Sequence, residues 1–277
     1  MAEFQDQVMG LTGLTIDGSS SSPSRVEFNT FLTDGAKEVI NLLPPQLKEK
    51  CMKITNLYIG NTNTTFDLDD AGEVTHVTRE NADSGYFTSC RKIPAIHSDL
   101  ANDSGNIIHY ATATDPVYYI ESNSSGVTTL FVKPTPTSLQ PAKVYHISYP
   151  TVVYNDADIA NFPNEAEYIV VLYAACKALQ STMGEMQSSI VHSDQDGTYT
   201  AITSLSQGWE NVRFWLENEE DTEMSQATIS SLSGELQQFV TEYQWHQGQY
   251  KMLKQDYMAG ISSLGIAKGQ MSGSETK

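Results

Sequence analysis

An interruption constrains this chain most. Residues 24–43 and 163–190 read as helix, and residues 54–154 between them read as a run of short strands. A helical core cannot absorb such an excursion as a loop, because connections inside compact domains are usually a few residues long. The excursion must fold around a core of its own and return the chain to the surface it left. The expected class is therefore α+β: a helical bundle with a large inserted β-sandwich or small-barrel domain and a long C-terminal helix.

Period and turn chemistry place the boundaries. Residues 1–23 close on a Ser-rich stretch and Pro23 and read as an extended N-terminal arm, with Met9–Ile16 as a docking element. Residues 24–52 are the first part of the helical domain. Ser24 and Glu27 have the spacing of a capping box. Val26, Phe28, Phe31, Leu32, Ala36, Val39, Ile40 and Leu43 then form one apolar stripe, which Pro44 and Pro45 stop. A short turn or helix is expected from Pro45 to Met52. Residues 53–155 are the inserted β-rich domain. Its expected strands are Thr55–Gly60, Glu73–Arg79, Tyr86–Arg91, Ile107–Ala111, Val117–Glu121, Thr128–Lys133 and Val144–Tyr149, separated by Asn, Asp, Gly, Ser and Pro. In the last of them Val144, His146 and Ser148 take one side, and Tyr145, Ile147 and Tyr149 the other.

Residues 156–262 are the second part of the helical domain, and 263–277 a flexible tail. Pro163 suits a first helical turn, and Glu165 and Glu167 favour the positive end of its dipole. From Tyr168 to Leu179 the helix is apolar almost all round, which places it at the centre of its domain or between subunits. Tyr168, Val171 and Leu172 are contact candidates on it. After a loop at 192–200, residues Leu205–Leu216 read as a short helix with Trp209, Phe214 and Trp215, and 217–221 as a solvated charge run. Ile229, Leu232, Leu236, Phe239, Tyr243, His246, Tyr250, Leu253 and Tyr257 then alternate steps of three and four, the mark of one long helix with a coiled-coil-like seam. Its aromatics are bulky for a tight dimer. Phe239, Tyr243 and Tyr250 therefore suit contact with other helices of the chain or across a ring of subunits.

The chain carries 34 acids against 16 bases, a formal charge of −18. A chain so acidic is a poor binder of the nucleic-acid backbone, whose non-specific affinity comes from neutralising phosphates. It keeps itself in solution, and it can line a passage through which DNA slides. Only 18% of residues are charged, so Ser, Thr, Asn and Gln carry much of the polarity, as surfaces that meet other proteins often do. Three separated cysteines, Cys51, Cys90 and Cys176, form no disulfide framework and suggest a reducing compartment. The first residues lack the basic flank and apolar run of a signal peptide, and no apolar stretch has membrane-spanning length.

Chemistry-bearing motifs are missing. There is no phosphate loop, nucleophile elbow, His-Glu-x-x-His or Cys-x-x-Cys. Asp67, Asp69, Asp70 and Glu73 miss the spacing of a calcium loop and read as a turn, as do residues 194–197. The six histidines, His76, His97, His109, His146, His192 and His246, form no local site. Asp156 and Asp158 read as caps before a helix. The expectation is a non-enzyme without metal or cofactor. Fourteen tyrosines, with Tyr118 and Tyr119 adjacent in the insert, suit a protein contact or a carbohydrate surface.

Two stretches, FNTFLTDGAKEVINLLP at 28–44 and FPNEAEYIVVLYAACKAL at 162–179, together resemble the helices of virion structural proteins in tailed bacteriophages, above all the head-to-tail adaptor, connector or neck group. The resemblance covers these two helices and the general layout. It implies a helical bundle with a β-rich insertion, a dodecameric ring beneath the portal, and contacts with the portal protein and with a tail or second neck protein. It also implies double-stranded DNA passing through without specific binding. The implied location is the head-tail junction of the virion, assembled in the host cytoplasm, with no catalytic residues. Another tail or baseplate structural protein, or a carbohydrate-binding module using the Tyr-rich β domain, remains the alternative.

Overall fold

The computed structural model describes residues 2–18, 23–58, 63–68, 71–81, 85–122, 126–189, 212–217 and 222–264. The expected loop at 192–200, the acidic turn at 194–197, His192, Trp209, Asp69, Asp70 and the tail beyond residue 264 lie outside these residues. The fold mixes helices with two sheets and ends in a long helix. Its contacts divide the chain into a helical unit, Met1–Val39, Val152–Asp158 and Asn164–Lys277, and a β unit, Ile40–Thr151 with Ile159–Pro163.

In the helical unit the first surprise is at the N-terminus. Residues Phe4–Thr12 form a helix, α1, and not an extended arm. Phe4 and Val8 stand four apart and are fully buried, as is Ile16 just beyond, and α1 packs against a later helix, α4. Its first amides find partners in the returning chain: Phe4 N–H donates to the Asp156 carbonyl at 2.9 Å, and Gln5 N–H to that of Tyr154 at 3.0 Å. Gly13 ends the helix at φ 69°, where its amide closes on Met9 O and a larger residue would be strained. Burying three apolar side chains, each worth about 1.5–3 kcal/mol, is what an arm would forgo.

Helix α2 (Arg25–Leu42) opens on the expected box. Ser24 Oγ accepts from Glu27 N–H at 3.3 Å, and Glu27 Oε2 accepts from Ser24 N–H at 2.9 Å. Phe28, Leu32, Ala36, Val39 and Ile40 are buried along the stripe, while Val26 is exposed. Helix α4 (Asn164–Ser189) buries Ala166, Ile169, Val170, Ala174, Ala175, Ala178 and Leu179. Helix α5 (Thr222–Ser263) has 42 residues, about 63 Å at 1.5 Å per residue. Of the short helix expected at Leu205–Leu216, residues 212–217 are described, and they are helical.

The β unit begins with α3 (Pro45–Lys48) and a 3₁₀ turn at Glu49–Cys51. Among the described residues eight strands follow: β1 Met52–Leu57, β2 Thr65–Asp67, β3 Ala71–Glu80, β4 Phe87–Ser89, β5 Arg91–Lys92, β6 Val117–Ser122, β7 Thr128–Lys133 and β8 Ala142–Ser148. They make two four-stranded sheets, β1-β8-β3-β4 and β2-β7-β6-β5, antiparallel except for β5 beside β6. Residues Ile107–Ala111, expected as a strand, form none: 107–109 are a turn and 110–111 are irregular. Asn106 Oδ1 takes the amides of Ile108 and His109, so local side-chain bonds replace a ladder there. Leu57, Val77 and Val144 of the first sheet share one buried cluster with Tyr118, Leu130 and Val132 of the second. The alternation expected in β8 holds for Val144 and His146, which are buried on one side; Phe66 of β2 meets the His146 ring at 4.7 Å.

Candidate functional site

The helical seam pairs α5 with α4. Three pairs fix how α5 runs along α4. A Cβ on Gly260 would lie 3.2 Å from Ile169 Cγ1, the rings of Tyr257 and Tyr173 sit 6.0 Å apart, and Gln180 Nε2 donates to Tyr250 Oη at 3.0 Å. The two helices are antiparallel. In this register Ser189, the last described residue of α4, falls level with Thr241 of α5. His246, Leu253 and Tyr257 of the expected seam are buried, and Tyr250 and Tyr243 are half-buried. Tyr257 Oη donates to Glu38 Oε1 of α2 at 2.8 Å, and burial together with that carboxylate raises its pKa.

Toward the start of α5 the character changes. Leu232 is buried and Phe239 half-buried, but Ile229, Leu236 and Val240 are exposed. Steps of seven and four residues put these three within about 40° of one another around the helix. From Met224 to Trp245 the only acids are Glu235 and Glu242, with no lysine or arginine. Those two glutamates lie roughly 120° and 140° away from Ile229. The stripe is therefore apolar and bordered by neutral Ser, Thr and Gln.

Four contact candidates are removed by burial inside the chain. Val171 and Leu172 are 1% exposed, because α4 is enclosed by other helices of its own unit. The all-round apolar sequence is satisfied within one copy. Tyr168 remains, at 53% exposure. Tyr118 and Tyr119 are buried too. Strand β6 is covered on both faces: Tyr118 enters the cluster shared by the sheets, and Tyr119 stacks on Phe131 at 5.2 Å among Ile93, Ala101 and Ala111. Burial raises the pKa of both phenols, with Cys90 adding to the first and Glu121 and Asp99 to the second. Neither ring can be offered to a sugar or a partner without unfolding the sheet. A strand buried on both faces hides this from sequence, because its period disappears.

The β unit also holds an open cavity of about 550 Å³ whose apolar wall is Leu43, Pro45, Met52 and Ile147. Thr75 and His76 both line it although they are consecutive. The register explains this: Val74 pairs with His146 and His76 with Tyr145, so Thr75 is the extra residue of a bulge. Among the described residues no three His, Cys, Asp or Glu side chains are placed to hold a metal ion. His146 is buried, its Nδ1 bonded to Ile147 O and its Nε2 to Thr55 Oγ1 at 3.0 Å. Asp156 does not cap a helix: its Oδ2 takes Val153 N–H at 2.9 Å and closes a turn. Burial pushes the Cys90 thiol up to about 12 and those of Cys51 and Cys176 to about 11. Among the described residues no helix is long and apolar enough to cross a membrane. No family model and no curated protein matches the sequence.

Proposed function

We propose that the chain is a virion structural protein, a head-to-tail adaptor or neck subunit whose copies close into a dodecameric ring between portal and tail. The observation that carries this reading is the exposed stripe of Ile229, Leu236 and Val240 on the N-terminal half of α5. A helix face left apolar in one copy has to be covered by something. Copies that each carry −18 can approach only through a face poor in charge, and both glutamates of this stretch sit on the far side of the helix. Phe239 and Tyr243 extend the contact, and Tyr168, level with the far end of α5, is exposed for a separate one. In the same reading the two sheets of the β unit stack as a sandwich around their shared cluster. The acidic balance lets double-stranded DNA pass the bore without adhering.

Imaging the purified full chain, with native mass measurement, tests the proposal. A closed ring is expected, more complete as salt rises and screens the like charges. Leu236→Asp should leave single chains of unchanged helicity, since the position is exposed. A single-chain mass at every concentration removes the ring reading, and a trimer favours a tail or baseplate part. Basic residues lining the bore of an observed ring would remove the account of DNA passage.

A further inference from the structure

The connection from β5 to β6, residues 93–116, is long for a sheet domain and contains no strand, yet it is tightly built. Ile93, Ala101 and Ala111 root it in a small core with Val117 and Tyr119. Both backbone polar groups of Ile108 are held. Its N–H donates to Asn106 Oδ1 at 3.2 Å, and its carbonyl accepts from Arg91 Nη2 at 3.3 Å. The same Arg91 nitrogen holds Asp115 at 3.0 Å. The rings of His97 and His109 stack at 4.5 Å with 13° between their planes. That stack brings the 3₁₀ turn carrying Ile96 against the turn carrying Ile107 and Ile108.

On this ordered base the side chains of Ile96, Ile107 and Ile108 are 86%, 97% and 74% exposed. Single exposed apolar residues are ordinary, but three on one pinned tip form a contact patch. A backbone already fixed loses little entropy when the patch is covered. Within 93–116 there is no lysine or arginine; Asp115 is neutralised by Arg91, which leaves Asp99 and Asp103 as the unbalanced charges of the segment.

We infer that this tip is a docking knob for a partner protein whose apolar stripe is bordered by lysine or arginine. The isoleucines supply the dry contact, and Asp99 and Asp103 of the same segment select a basic rim. A second copy would set the same aspartates against each other, and an anionic bilayer would repel them. The inference stands independently of the neck reading.

The probe is a dye-labelled amphipathic helical peptide with a leucine stripe flanked by lysines, compared with its glutamate-flanked counterpart, on the full chain. The lysine peptide should bind, less tightly as salt rises, and the glutamate peptide should not. The triple variant Ile96→Ser, Ile107→Ser, Ile108→Ser should lose about tenfold or more in affinity with its urea midpoint unchanged. Asp99→Asn with Asp103→Asn should weaken binding and flatten its salt dependence. Full binding by the triple variant, equal binding of both peptides, or no binding of the lysine peptide would overturn the inference. So would a triple variant that loses self-assembly, or one that loses adhesion to phosphatidylserine vesicles shown by the parent chain.

Discussion

Gly35 is in the interior of α2, where alanine would ordinarily stabilise a helix by about 0.8–1.0 kcal/mol. Here the opposite is expected. A Cβ at Gly35 would lie 2.8 Å from Tyr173 Cδ1, 3.2 Å from its Cγ and 3.4 Å from its Cβ. Carbon atoms rest about 3.5–4.0 Å apart, so the ring would have to retreat by roughly 1 Å. It has little room, because Cβ moves only with α4, which is buried along most of its apolar length, and Cγ moves only by turning χ1 away from its staggered well. Overpacking of this kind costs about 1–3 kcal/mol. Set against the helix gain, Gly35→Ala should destabilise by up to about 2 kcal/mol. Gly234 in α5 is the internal control, with nothing within 4 Å of its added Cβ, and Gly234→Ala should stabilise. Tyr173→Ala leaves only the 3.4 Å contact, so adding Gly35→Ala to it should also stabilise. The coupling between the two changes should be about 1–3 kcal/mol, well above the error of additivity. Trp215 and Trp245 belong to the helical unit and the β unit contains no tryptophan, so tryptophan emission in urea reports on the helical unit. If Gly35→Ala stabilises as much as Gly234→Ala, the close approach of α2 and α4 is not as described.

Two further outcomes concern the β unit. Burial lowers the pKa of His146 below its usual 6.5, so its stabilising effect is complete above that value and fades as pH falls through the lower folded value. His146→Gln should flatten the acid limb of the β unit's stability curve, followed by tyrosine fluorescence. Cys90, raised from 9.0 to about 12, stabilises fully below pH 9 and loses that effect as pH rises through 12. It should resist iodoacetamide at neutral pH in the folded chain and react once the chain is unfolded, read by mass spectrometry.

What was legible in the sequence was what period and caps encode. The Ser24–Glu27 box, the stop at Pro44, the α4 run and the seam at His246, Leu253 and Tyr257 are local signals, and the structure places them where the pattern does. What was hidden depended on tertiary partners. Phe4, Val8 and Ile16 span too little sequence to declare a helix, and α1 exists because α4 covers it and residues 154–156 take its amides. Strand β2 has three residues, too few for a period. Val171 and Leu172 looked like subunit contacts because sequence cannot say which chain buries a helix. Tyr118 and Tyr119 read as a contact surface because large phenols with a polar tip suit one, and sequence cannot say that β6 is covered on both faces. The contact residues that burial leaves free, Leu236 and Val240 in α5 and Ile107 and Ile108 on the tip, differ from buried apolar residues only in context.

Charge then separates the two exposed patches. The α5 stripe is apolar with neutral polar borders, and the chain around it is strongly acidic. Contact there between identical copies gains no ion pairs and works against long-range repulsion, so screening helps it. The tip is apolar with Asp99 and Asp103 close in sequence, so its basic-rimmed partner is drawn in by opposite charge and screening hurts it. Salt must therefore move the two interactions in opposite directions. One protein that shows both signs has two distinct occupants; one sign for both would mean that a single kind of surface, and a single partner, covers stripe and tip alike.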